Sequence, residues 1–377
     1  MSLITAFHQV ALGDCCKIVS GSTPSRIVPV YWNGNINWFT PKDLSGIKSK
    51  YVSEAPEKIT QLGLESCSTT ILPPKSLLLS SRAPIGHLAI NLLPTCTNQG
   101  FKSLIPNSKL EIEYLYYAIK NIVPQLQDMG NGATFKEISK AILSKVKIPL
   151  PPLAEQQKIA AILDAADSLR QKDQQLVERY TALSQSLFLE MFGDPVTNPK
   201  KLKRITLGEV LKLKSGIFLP ASQMVSTGKY PVFGGNGVNG YHDQFMFESK
   251  QIIIGRVGVY CGCVHVSPPN SWITDNALYV SEQDSRINFG YLAYSLSQAN
   301  LNQFASKSAQ PLISGARLYP TKILLPEIEH QNQYIKRLNL IEAQKQQAQL
   351  GLAKSEALFN SLLQRAFTGE LTAKLVA

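Results

Sequence analysis

Along two stretches of the chain, apolar residues recur at alternating steps of three and four. The first runs Ile159, Ile162, Ala166, Leu169, Leu176, Tyr180, Leu183, Leu187, broken once at Asp173. The second runs Tyr334, Leu338, Ile341, Ala348, Leu352, Phe359, Leu362, with Lys345 at a seam position. This spacing predicts two long helices with coiled-coil seams. A helix packed only on its own domain shows the same period, but two matched seams favour packing on each other. At ~38 residues each helix is ~57 Å long. Antiparallel packing with the ends aligned sets Asp173 opposite Lys345, a buried charge pair that fixes register at some cost in stability.

The helix starts belong to a repeat. Lys147, Ile148, Leu150, Pro151, Leu153 and Gln156 return as Lys322, Ile323, Leu325, Pro326, Ile328 and Gln331. Near the start of each half, Leu12, Gly13, Asp14, Lys17, Ser20 and Gly21 match Leu207, Gly208, Glu209, Lys212, Ser215 and Gly216. Two copies this long argue for two similar modules rather than a solenoid. The expected domains are residues 1–150 and 193–326, followed by helices over 151–192 and 327–377.

Between the markers the pattern shifts to short apolar runs. Strands are predicted over 76–82, 85–93, 251–254 and 264–266, punctuated by Gly21, Pro24, Gly34, Pro73 and Pro74, with helices over 111–121 and 289–299. Each half reads as α+β with an irregular sheet. A length of 377 residues suits two cores plus connecting helices.

Charge adds a direction. The net charge is +11; residues 1–150 hold 15 Lys+Arg against 9 Asp+Glu, and residues 193–326 hold 13 against 7. The positive charge therefore sits in the globular halves, as a polyanionic partner requires, although a basic pI also aids solubility. No apolar run approaches the ~18 residues of a membrane span, and Met1–Val10 lacks signal-peptide features, so a cytoplasmic location is expected. Cys261 and Cys263 flank one glycine, but without a second pair they read as buried strand thiols rather than zinc ligands.

The run Leu150–Leu169, LPPLAEQQKIAAILDAADSL, and Ala357–Leu371, ALFNSLLQRAFTGEL, resemble the two helical spacers of specificity subunits of type I restriction-modification enzymes. Asn37-Trp38-Phe39-Thr40-Pro41-Lys42-Asp43-Leu44 and Tyr230-Pro231-Val232-Phe233-Gly234-Gly235-Asn236-Gly237 strengthen it. Glu327, Glu329 and His330 depart from the usual second helix start. The resemblance implies two target recognition domains, each reading half of a bipartite, asymmetric double-stranded DNA target. It implies helices that set the unread spacer and dock two methyltransferase subunits, with motor-nuclease subunits in the full complex. S-adenosylmethionine, ATP and magnesium then belong to those partners, and this chain binds no cofactor and is not an enzyme. An antiparallel rod would hold the readers more than one duplex turn apart, ~34–36 Å.

No Asn-Pro-Pro-aromatic motif, phosphate-binding G-x-x-x-x-G-K-[ST] loop or nuclease cluster occurs. That disfavours the alternative, a self-contained DNA methyltransferase or nuclease; uptake of S-adenosylmethionine by the chain alone would favour it. Candidate DNA contacts follow from repeat position. Arg82 and Arg256 close apolar strands and precede Gly86 and Gly258, offering guanidinium groups for guanine or phosphate, or serving only as solvated strand ends. Asn98 and Gln99 align with Asp275 and Asn276, amides or acids for base edges or for turns. Ser20, Gly21, Lys42, Thr134, Lys136, Ser215, Gly216, Asn236, Lys307 and Gln310 complete the set. Trp38 and Tyr230 are expected to be half-buried packing aromatics.

Overall fold

In the computed structural model of the chain, residues 7–131, 136–307 and 310–371 are described. They form two compact units: residues 1–175 with 348–377, and residues 176–347. The units share a core topology, to which the first adds one edge strand, Tyr51–Val52. In the first, a five-stranded sheet orders Cys16–Ser20, Lys102–Pro106, Leu77–Leu79, Leu88–Asn91 and Tyr51–Val52. In the second, a four-stranded sheet orders Leu211–Ser215, Ala277–Gln283, Ile252–Gly255 and Val264–Val266. A three-stranded sheet accompanies each, and both contain a parallel pair, Trp32–Phe39 with Thr95–Thr97 and Tyr230–Gly234 with Trp272–Ile273. A two-stranded ribbon closes each module: Gln9–Ala11 with Lys147–Pro149, and Arg204–Thr206 with Lys322–Leu324.

One helix covers each main sheet. Ile112–Asp128 extends past its expected end and contains Pro124; Phe289–Gln298 matches its prediction. Their buried Tyr114, Leu115, Tyr117 and Tyr291, Leu292, Leu296 build the cores with Leu77, Leu79, Ile252 and Ile254. Such burial is the main stabilising term.

The long helices span Leu153–Phe192 and Ile328–Thr368. The first starts after Pro151-Pro152, where fixed φ favours a helix start, and stops at Gly193, whose φ of +76° and N–H bond to the Leu189 carbonyl (2.9 Å) form a left-handed cap. A buried amide ties each helix start to its module. Gln156 Nε2 donates to Lys109 O (2.9 Å) and Pro151 O (2.8 Å), and its Oε1 accepts from Glu111 N (2.9 Å). Gln331 repeats this with Arg286 O (3.0 Å), Pro326 O (2.8 Å) and Asn288 N (2.8 Å).

Within each unit the helical segments pack antiparallel. In the first, Ile159, Leu163 and Ala166 share a core with Phe359 and Ala366, and Arg170 lies over the Phe359 ring at 5.5 Å. In the second, Phe188 and Phe192 meet Tyr334 at 5.7 and 5.3 Å, and Ser184 donates to Glu342 (2.9 Å). In this unit Phe192, the last residue of its helix, meets Tyr334 rather than the first residue of the other helix, a register that the aromatic cluster with Tyr291 and Tyr294 fixes. Lys345 lies 3.9 Å from Glu342 in its own helix, and among the described residues no ion pair joins it to Asp173.

The first predicted seam holds at Ile159, Ala166 and Leu187 and shifts by one position at Leu163 and Ser184. Leu169, Leu176 and Leu183 are 45%, 39% and 48% exposed, and Ile162 is half-buried, whereas Ile159, Leu163, Ala166, Ser184, Leu187 and Phe188 are buried. Polar groups occupy the true stripe. Asp167 is buried and accepts from Arg170 (2.7 Å) and Gln171 (2.6 Å), so its charge is paired. On the second helix, Tyr334, Leu338, Ala348 and Phe359 are buried, and Ile341, Leu352 and Leu362 are half-buried.

Ion pairs add to the helix contact in the first unit. Asp164 accepts from Lys50 and from Tyr117 Oη (2.6 Å), and burial pushes Lys120 below its ordinary value while Asp167, 3.9 Å away, pulls it back up. Cys261 and Cys263 do not sit in a strand: they follow the 3-10 turn Gly258–Tyr260, and Cys263 is exposed. Cys261 Sγ donates to Arg256 O (2.9 Å) and Pro311 O (3.1 Å). Among the described residues no His/Cys/Asp/Glu group can hold a metal, and no helix is long and apolar enough to cross a membrane.

Candidate nucleic-acid interface

In both units the candidate residues gather where the strand carrying the Ser-Gly pair ends beside the start of its neighbour. Ser20 pairs with Lys102 across the first sheet. The chain then turns at Gly21, where an added Cβ would lie 2.1 Å from Thr97 O and 2.2 Å from Asn98 O. That close approach lets Ser22 N donate to Thr97 O (3.0 Å) and brings Thr23 against Gln99. Asn98 N donates to Phe39 O (3.0 Å), and its Oδ1 accepts from Gly100 N (2.9 Å). Lys42 is exposed on the neighbouring turn Pro41–Leu44, which a Thr40/Asp43 capping box holds and which packs on Gly100.

Arg82 enters from the central strand side, where Ser81 N donates to Gly100 O (2.7 Å). Its Nη1 lies 3.8 Å from Glu137, whose other oxygen is 3.1 Å from Lys102 Nζ. Lys102 is buried, so Glu137 compensates its charge. Lys136 is exposed beside this pair. Thr134 lies outside the described residues. Gly86 corrects an expectation: a Cβ there would lie 2.4 Å from Val123 on the covering helix, so this glycine faces protein and offers no open approach to a ligand.

The second unit repeats the cluster with different chemistry. Arg256 Nη1 donates to Ser215 Oγ (2.9 Å), which donates to Asp275 O (3.4 Å), and Arg256 N donates to Asn276 O (3.0 Å). Gly216 presses on Ile273 O and Thr274 O, 2.3 and 2.4 Å from an added Cβ. Asn236 is exposed at the turn between Tyr230–Gly234 and Gly237–His242, following Gly235, which packs near Asn276 O. Gly258 has φ of +78° and open space around its Cβ position, and its N–H donates to Pro311 O (2.9 Å). Lys307 and Gln310 are exposed on that same loop.

The two arginines therefore differ. Arg82 shares a carboxylate with Lys102. Arg256 forms no ion pair among the described residues, and its Nε is buried without a hydrogen-bond partner within the protein. A guanidinium held by a hydroxyl, with donors left over, suits recognition of phosphate or a guanine edge.

Sequence reasoning missed Lys102, Glu137 and Arg26. Arg26 stacks 3.9 Å from the Trp32 ring centroid and forms a bidentate pair with Glu57 (2.5 and 2.8 Å), which holds the Glu57 carboxyl below its ordinary value. Its place in the loop after Gly21 was the only signal. Trp38 is buried, not half-buried, with Nε1 donating to Ser22 O (3.0 Å); Tyr230 is half-buried against Phe245.

A family model described as the type I restriction modification DNA specificity domain matches residues 6–179 and 199–350. The chain is 37% identical over 228 residues to the type I restriction enzyme MjaIX specificity subunit of Methanocaldococcus jannaschii, covering 56% of this chain and 53% of that protein. The match thus spans about half that relative's length. It is 28% identical over 340 residues to the type I restriction enzyme EcoprrI specificity subunit of Escherichia coli, covering 85% of this chain and 84% of the relative. Among solved structures, the type I restriction-modification system S subunit from M. genitalium superposes with a TM-score of 0.66 at 16% identity, covering 97% of this chain and 98% of that one.

Proposed function

Because this chain belongs to the type I restriction-modification DNA specificity family, with its family model matched twice, we propose that it reads double-stranded DNA as two half-sites. The observation that carries this reading is the pair of loop clusters at the same end of two topologically matched sheets, one around Arg82, Asn98 and Gln99, the other around Arg256, Asp275 and Asn276. The shared scaffold supports a common docking mode, and the different side chains support different sequences read by each. The result is a bipartite, asymmetric target. The long helices would set the unread spacer and dock two methyltransferase subunits, with motor-nuclease subunits added for restriction. S-adenosylmethionine, ATP and magnesium would be bound by those partners in the cytoplasm, and this chain would supply recognition without catalysis.

The net charge of +11 supports phosphate contact as the sequence-independent part of affinity. Binding of a duplex pool and of RNA, titrated against salt, tests this: preference for duplex and a linear fall of log affinity with log salt are expected. Lys136→Ala should weaken binding to all duplexes alike and lower the salt slope by about one. Arg256→Ala should cost about tenfold in affinity for the target and relax discrimination at one position of one half-site, read by competition with singly substituted duplexes. Equal binding of RNA, with no salt dependence, would rule the reading out.

A further inference from the structure

We propose that the second recognition domain reads thymine C5-methyl groups through an apolar rim around Arg256. The inference rests on the DNA-reading function and adds the chemistry of one half-site. Phe218 is 67% exposed, Val259 78%, Ile217 55%, Tyr260 47% and Leu312 41%. They lie on three loops tied together beside Arg256. Ile217 N donates to Ile273 O (2.9 Å) just after Gly216, Gly258 N donates to Pro311 O (2.9 Å), and Val257 bridges to Leu312. Arg256 Nη1 reaches the first of these loops at Ser215.

Isolated exposed apolar side chains are ordinary, but five on three converging loops are not, and such a grouping marks a contact surface. At the corresponding described positions the first domain is polar or buried, and its exposed Ile27 (90%) and Val30 (60%) stand farther along the chain from Gly21. The residues after Gly21 are Ser22 and Thr23, and Ile85, which stands before Gly86, is only 4% exposed. The rim is therefore not a general requirement of the scaffold. A duplex presents phosphates, sugars and polar base edges, and in the major groove its one apolar group is the thymine methyl. An apolar rim surrounding a guanidinium thus suits a half-site in which A·T pairs flank a guanine or a phosphate contact.

The test uses the chain co-purified with its methyltransferase partner and the target found by methylation mapping. The half-site of the second domain is the one where Arg256→Ala relaxes discrimination. In that half-site every thymine is replaced by uracil, which removes only the methyl; the same replacement in the other half-site is the control. Affinity should fall about fourfold per contacted methyl, with less than a twofold change for the control. A Phe218→Ala, Val259→Ala double variant should bind the thymine and uracil duplexes equally. Equal affinity of the unsubstituted protein for both duplexes, with cognate still preferred over scrambled DNA, overturns this inference alone. So does a half-site without an A·T pair. Loss of any preference for cognate over scrambled DNA instead refutes the DNA-reading function.

Discussion

Replacing Gln156 or Gln331 with leucine is expected to destabilise its unit by about 3–5 kcal/mol. Each amide is fully buried and makes three hydrogen bonds to backbone groups of its own unit. Leucine of similar size fills the space but strands one N–H and two carbonyls. Each buried polar group left unpaired costs about 1–3 kcal/mol, and some relief through water lowers the sum. Denaturant midpoints at unchanged m-value measure the loss. The two sites lie in separate units, so two transitions should separate, with Gln156→Leu moving one and Gln331→Leu the other. A change under about 1 kcal/mol would show that the helix starts are held by packing alone.

The second large effect concerns the glycines that open the reading loops. Gly21→Ala and Gly216→Ala would place a methyl 2.1 and 2.3 Å from main-chain carbonyl oxygens. The obstacle is backbone in a strand connection, not the end of a flexible side chain, so one loop must move. A cost of about 3 kcal/mol is expected, at the upper end of that for overpacking. The displacement would also pull Ser22 from Thr97 or Ile217 from Ile273 and misplace the neighbouring side chains. DNA affinity should therefore fall by about tenfold or more even where the protein remains folded at low temperature, because contact geometry is lost along with stability. Thermal unfolding and duplex titration of the same samples separate the two effects. Gly258→Ala has open space and only its positive φ against it, and should cost about 1 kcal/mol.

These glycines show where sequence reading worked and where it stopped. The repeat placed Gly21 and Gly216 at corresponding positions and thereby located both loop clusters. It named them as candidate DNA contacts without a structural role; in the fold they let two loops of the protein approach each other. Gly86 was grouped with Gly258 by position, yet a Cβ on the first would meet Val123 and a Cβ on the second would meet nothing. A one-dimensional pattern carries no information about which side of a turn is covered by a helix far away in the chain.

The same reason explains the helices. The second seam was readable because Tyr334, Leu338, Ala348 and Phe359 are apolar and buried. On the first helix the buried stripe includes Asp167 and Ser184, whose partners Arg170 and Glu342 satisfy them, while leucines stand exposed one position away. Hydrophobic period alone follows the leucines. Gln156 and Gln331 were legible as repeat partners, but only the structure shows that each accepts one bond and donates two. Lys102 and Glu137 were invisible because their pairing joins a strand to a segment 35 residues away.

The measurement that tests the central claim most directly is a map of N6-methyladenine on DNA from cells expressing this chain with its methyltransferase partner, with and without the chain. Methylation at one split, asymmetric sequence, lost when the chain is omitted and relaxed in one half by Arg256→Ala, is the predicted result. Methylation that persists unchanged without the chain, or a stable complex that methylates no defined sequence, would contradict it.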